Sequence, residues 1–231
     1  MRWVVVIAAL TLAGTATAAD GKQVFGRYCV SCHGPNGAGV ADRGPALHGV
    51  GASAADFYLR TGYMPLKHVG LQPRRSELLL NEAQIDALIR YVATLGRGPA
   101  VPQPHPERGN VAAGLHLFRS HCAGCHQIVA QGGYVTDAVP PALGDETPTQ
   151  IAEAVRIGPY VMPRFSPRAL SDAQLDSIIR YVEYAQHPDN RGGWALGNIG
   201  PIPEGLVSWF FAGSVLLGVC LVIGKRLHGQ G

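Results

Sequence analysis

"YCVSCHGPNG" at residues 28–37 and "HCAGCHQIVA" at residues 121–130 carry one pattern, Cys-x-x-Cys-His. Cys29, Cys32 and His33 form the first copy; Cys122, Cys125 and His126 form the second. Outward from these anchors the match continues. Phe25 aligns with Phe118, "GPAL" (44–47) with "PPAL" (140–143), and "LRTGYMP" (59–65) with "VRIGPYVMP" (155–163). "LNEAQIDALIRYV" (80–92) aligns with "LSDAQLDSIIRYV" (170–182). The order is the same in both halves and only loop lengths differ, which is the mark of a tandem duplication.

Each copy reads as helices joined by long loops, with no strand pattern, so the expected class is all-α. In the closing helix of the first copy, Asn81 and Gln84 stand at capping-box spacing. Ile85, Leu88, Ile89 and Val92 then make one apolar stripe, ended by Gly96. The second copy repeats this with Ser171 and Gln174, followed by Leu175, Ile178, Ile179 and Val182. Amphipathic helices are expected near Lys22–Tyr28 and Val111–His121, and middle helices near Ala54–Thr61 and Pro148–Ile157. For the last of these, Thr147 is the cap and Pro148 takes the first turn. The domains are accordingly placed at 20–96 and 110–187. Between them, 97–109 is rich in proline, an extended and semi-rigid spacer.

The ends place this pair relative to a membrane. "MRWVVVIAALTLAGTATAAD" has one basic residue, an apolar run and small residues at Ala16 and Ala18, so 1–19 reads as a signal peptide. A retained N-terminal anchor is the alternative, and either one exports both cysteine–histidine copies. Leu206–Ile223 carries no charge and spans about 27–30 Å as a helix, the thickness of a bilayer core. A membrane helix is therefore expected at 205–224, after a juxtamembrane segment at 188–204 and before a tail at 225–231. Lys225 and Arg226 put that tail in the cytoplasm and residues 20–204 outside. Cys220, inside the span, reads as a small apolar lipid-facing or packing residue. The chain has a net charge of +3 and only 15% charged residues, with no basic run to suggest nucleic acid.

Cys-x-x-Cys-His is the pattern of covalent haem attachment: both thiols join one edge of the porphyrin, and the histidine sits under the iron. Zinc needs four ligands per site, and neither half has a second cysteine pair. A redox dithiol wants a βαβ setting and has no use for the histidine; a disulfide staple leaves both histidines unexplained. Two haem c groups are expected, on Cys29 and Cys32 and on Cys122 and Cys125, with His33 and His126 as proximal ligands. Apart from the initiator the only methionines are Met64 and Met162, at matching places and each followed by proline, so they are the expected distal ligands. Imidazole opposite thioether raises the potential and closes the iron. His48, His68, His105, His116, His121 and His187 do not recur at matching places and read as surface or loop residues. A backbone carbonyl at Pro45 or Pro141 is placed to accept the Nδ1–H of the proximal histidine. Phe25, Tyr28, Leu47, Leu88, Tyr91, Phe118, Leu143 and Tyr181 are candidates for haem wall or plain core.

With Cys-x-x-Cys-His, the proline loop, Met-Pro and a closing helix ending in "RYV", each half resembles a class I cytochrome c domain. "RGGWALGNIGPIPEGLVSWF" (191–210) running into the span, with "TGYMPL" and "QPRR", resembles the dihaem cytochrome c subunit of actinobacterial bcc complexes. That resemblance implies an electron path from menaquinol through cytochrome b and a Rieske centre, across both haems, to an aa3-type oxidase. It also implies those subunits as partners, with no substrate pocket in this chain. Members of the family usually keep a longer N-terminal segment as a second membrane helix; here that segment reads as cleavable. The segment around Trp194 reads either as a partner contact or as a juxtamembrane loop, with Trp194 and Trp209 as interfacial anchors. Lys67, Arg74 and Arg75 read as steering charges or as an ordinary solvated face. The rivals to a complex subunit are a freestanding dihaem shuttle and a dehydrogenase or peroxidase subunit, the last needing an open iron.

Overall fold

The computed structural model describes residues 18–66, 75–77, 79–187 and 201–228. Residues 1–17 of the expected signal segment, Lys67, His68, Arg74 and residues 192–200, with Trp194, lie outside the described residues. Local rules account for most of the helices. In order they are α1 (Ala18–Tyr28), α2 (Val30–His33), α3 (Gly51–Arg60), α4 (Glu82–Thr94), α5 (Val111–His121), α6 (Ala123–His126), α7 (Pro148–Ile157), α8 (Asp172–Gln186) and α9 (Pro201–His228). Short 3₁₀ turns lie at Pro35–Gly37 and Pro106–Arg108. Among the described residues there are no strands, only isolated bridges at Val40–Gly44 and Val135–Ala138.

The start of α4 is a capping box: the Asn81 side chain accepts from the Gln84 N–H at 3.0 Å, and Gln84 Oε1 accepts from the Asn81 N–H at 3.1 Å. Ser171 and Gln174 do the same for α8, at 3.3 and 2.9 Å. Thr147 and Gln150 form a third box on α7, beyond the cap and Pro148 expected there. α3 begins at Gly51 rather than near Ala54, because its N-cap Val50 makes no side-chain cap bond and leaves no sequence signal.

In each half the first helix lies on the last, α1 on α4 and α5 on α8. The Phe25 and Tyr91 rings meet at 5.2 Å and 53°; Phe118 and Tyr181 meet at 5.3 Å and 53°. Gly21 and Gly114 permit this approach, since a Cβ at either would collide with the backbone carbonyl of Ala87 or Ser177. Among the described residues the second core is the larger, built on Phe118, Ile151, Val155, Leu175, Ile178 and Val182. Burying each such side chain contributes roughly 1.5–3 kcal/mol.

The two halves sit in one compact unit that ends at His187, and α3 packs on α7 across the repeat. The proline-rich spacer is bonded to both sides: the Ser53 N–H donates to Pro99 O at 3.1 Å, and the His105 N–H to Asp176 Oδ1 at 2.8 Å. Within each half one arginine staples the middle helix to the start of the closing helix. Arg60 pairs with Asp56, Glu82 and Asp86. Arg156 pairs with Asp172 at 2.5 Å and donates to Leu170 O at 2.8 Å.

The second unit contains α9. Its stretch Gly205–Leu227 is 23 residues long with mean hydropathy 2.4, about 34 Å of helix and enough for a bilayer core. It runs slightly past the expected 205–224. Its apolar side chains, Trp209, Phe210 and Leu216 among them, are exposed.

Candidate haem-attachment sites

Both motifs sit where the first helix of a half breaks. The Cys29 N–H donates to Phe25 O at 2.9 Å and the Cys122 N–H to Phe118 O at 2.8 Å, so each cysteine closes the preceding helix. One further turn comes next, with the His33 N–H bonded to Cys29 O and the His126 N–H to Cys122 O, both at 2.9 Å. Residues at i, i+3 and i+4 of a helical turn share a face, so both thiols and the imidazole of each motif lie together. Each turn ends on a positive φ: Gly34 at +70°, and at the equivalent place Gln127 at +62°.

The ring orientations follow from two carbonyls. His33 Nδ1 lies 2.9 Å from Pro45 O, and His126 Nδ1 lies 3.0 Å from Pro141 O. A carbonyl only accepts, so Nδ1 carries the hydrogen and Nε2 keeps a free lone pair. The carbonyls are held in turn by matching bonds from the Leu47 N–H to Gly37 O and from the Leu143 N–H to Ala130 O, each 2.8 Å. Burial lowers the pKa of His126, partly offset by the Pro141 bond, so its ring stays neutral and able to ligate.

In the second half the motif opens on an apolar cleft with about 1250 Å³ of empty space, its mouth included. Cys122, Cys125 and His126 stand with Met162, Leu143 and Ile178 around it. His121, exposed as expected, also borders the cleft, its ring 5.9 Å from that of Phe165. In the first half, Cys29 packs on Phe25, Leu88 and Tyr91, with Leu47 beside them. Met64 is half-buried at the end of its turn, its N–H donating to Tyr58 O at 2.9 Å. Of the candidate wall residues, Phe118 and Leu143 line the cleft. Tyr181 is buried and donates to Ile128 O at 2.5 Å, while Tyr28 is exposed beneath Arg27.

Three cleft residues come from the other half: Phe57, Tyr63 and Arg75. Arg75 is paired with Glu146. Sequence reasoning missed Phe57 and Tyr63 and read Arg75 as a steering or solvated charge, because each contact crosses the repeat and no periodicity within one copy encodes it.

The first thiol of each pair lacks the lowered pKa of a redox dithiol. Burial first, then the neighbouring cysteine, pushes Cys29 up to about 11 and Cys122 up to about 12. Reactive dithiols have lowered pKa values, whereas Cys29 and Cys122 are shifted the other way. All five cysteines are free of disulfides, and among the described residues no three His, Cys, Asp or Glu side chains converge as a metal-ion cluster. In the second half, two thiols beside a neutral, oriented imidazole at an apolar cleft fit haem c; the first half repeats the thiols and the oriented imidazole.

Comparisons with known proteins agree. A family model described as "Cytochrome c" matches residues 18–96, and one described as "Cytochrome C oxidase, cbb3-type, subunit III" matches residues 109–182. Cytochrome c domains imply covalently bound haem c. The cytochrome bc1 complex cytochrome c subunit of Mycobacterium tuberculosis is 41% identical over 216 residues, covering 89% of this chain and 77% of its own. The corresponding protein of Corynebacterium diphtheriae is 34% identical over 225 residues, covering 90% and 80%. A cbb3-type cytochrome c oxidase subunit CcoP from Azospirillum is 28% identical over 186 residues, covering 71% and 60%. With a duplicated cysteine–histidine framework and this likeness along most of its length, the chain belongs to the family of cytochrome bc1 complex cytochrome c subunits.

Proposed function

We propose that this chain is the dihaem electron carrier of a respiratory quinol–cytochrome c reductase of the bcc type, standing between a Rieske iron–sulfur subunit and an aa3-type oxidase. Haem c supplies a one-electron iron couple. The chain's own residues do the rest. Cys29 and Cys32, and Cys122 and Cys125, are the covalent anchors; His33 and His126 are the proximal ligands; Met64 and Met162 are the distal ones. The observation that carries this reading is the pair of matched histidine–carbonyl bonds, His33 to Pro45 and His126 to Pro141. A bond that fixes the tautomer and turns Nε2 outward serves a metal ligand and has no other evident use twice over. Domains at 20–96 and 110–187 hold these sites, the bonded spacer at 97–109 keeps them in a fixed relation, and cytochrome b and the Rieske subunit are the partners. Export of 20–204 and anchoring by 205–224, with 225–231 inside, put the domains on the outer face of the cell membrane, where both partners can reach them.

Haem content, ligation and assembly test this separately. Two haems per chain are expected from the alkaline pyridine assay. Met64→Ala and Met162→Ala should each lower one haem's potential and open one iron to carbon monoxide; unchanged spectra in both variants would remove the ligand assignment. Gentle purification should bring down a quinol-oxidising cytochrome b, and migration of this chain alone would favour a freestanding shuttle.

A further inference from the structure

The cleft of the second half is walled in part by the first. Tyr63, next to Met64, meets Tyr160, two residues before Met162, with ring centroids 5.8 Å apart at 68°. Phe57, buried, stands 6.0 Å from Tyr63 and borders the same cleft. The Arg75 guanidinium lies over the Tyr63 ring, 5.5 Å from its centroid. Arg75 also forms an ion pair with Glu146, whose side chain is only 6% exposed, and both residues line the cleft. The pair is only half buried, since the Arg75 side chain is 39% exposed, and such a pair is weak evidence for stability because desolvation of the carboxylate cancels much of the attraction. At the edge of an apolar cleft, however, the Glu146 carboxylate acts on the contents through a poorly screening medium, and the more exposed Arg75 guanidinium does so against more water.

We propose that the second cofactor site is shared between the halves, and that Arg75 of the first and Glu146 of the second form an opposed charge pair that sets the redox poise of that site. This rests on the reading that Cys122 and Cys125 hold a haem. A guanidinium beside an iron couple favours the form with the extra electron, and a carboxylate favours the form without it. In the intact pair the two nearly offset. Removing one leaves the other uncompensated, so the two single variants must move the potential in opposite directions. A purely structural clasp carries no such sign rule.

Potentiometric titration of the full chain in detergent, followed by visible absorbance, tests this. Met64→His and Met162→His each displace one wave and so identify the two haems. Arg75→Gln is expected to shift the wave that Met162→His displaces toward lower potential, by roughly threefold to tenfold in the redox equilibrium, or about 30–59 mV for one electron. Glu146→Gln is expected to shift the same wave upward by a similar factor. Arg75→Gln/Glu146→Gln and Arg75→Lys should both return near the wild-type value. If Arg75→Gln fails to fold, the upward shift in Glu146→Gln still decides the sign. Shifts in the same direction, no shift, or a shift of the wave that Met64→His displaces would overturn the proposal. One wave and one haem per chain would instead overturn the dihaem reading beneath it.

Discussion

Replacing Glu153 by glutamine should alter how the stability of the haem domains depends on pH. Glu153 lies on α7 with no exposed surface and faces Asp56 and Arg60 on α3. Burial above all, then the Asp56 carboxylate, pushes its pKa from 4.5 up to about 9, with Arg60 opposing. The folded protein therefore holds a proton here that the unfolded chain gives up near pH 4.5. A group raised in this way contributes its full stability below the unfolded pKa and loses it as pH climbs to about 9. One proton corresponds to a slope of at most about 1.4 kcal/mol per pH unit, or about 2.7 kcal/mol over two units. For a unit of this size that is roughly 5–11 °C in Tm. Glu153→Gln keeps a neutral group of the same shape and has no proton to lose. Thermal unfolding by circular dichroism, for both proteins from about pH 6 to about pH 8, should show the wild type losing Tm relative to the variant by that margin. Parallel curves, or a wild type that gains on the variant as pH rises, would refute the reasoning.

Gln127 sits at φ +62° and ψ 164°, a region suited to glycine, so Gln127→Gly should raise stability by about 1 kcal/mol in denaturant titration. Gly114→Ala, whose Cβ would strike Ser177 O, should push α5 off α8 and cost about 3 kcal/mol or more, read as a fall in Tm. Tyr181→Phe, by losing the bond to Ile128 O, should cost about 1 kcal/mol and leave the Phe118 ring contact in place.

The sequence alone determined what short-range physics writes into neighbouring residues. Caps at Asn81, Ser171 and Thr147 answer the unpaired N–H groups of a helix start, and the stripe from Ile85 to Val92 answers the helical period, so α4, α7 and α8 were legible. The two motifs and their histidine–carbonyl partners at Pro45 and Pro141 were legible too, because duplication displayed the same spacing twice. Gly21 and Gly114, each four residues before the packed phenylalanine, carried the same signal unused. Only the tertiary structure decided how one copy meets the other. Phe57 and Glu153 occupy equivalent places in the repeat, yet one borders the neighbour's cleft and the other is a buried acid against Asp56. Likewise Tyr63 finds Tyr160, and Arg75 finds Glu146, in loops beside the packed helices α3 and α7. The period and caps of a helix are set by residues three or four apart, whereas docking depends on shape and charge brought together from distant parts of the chain.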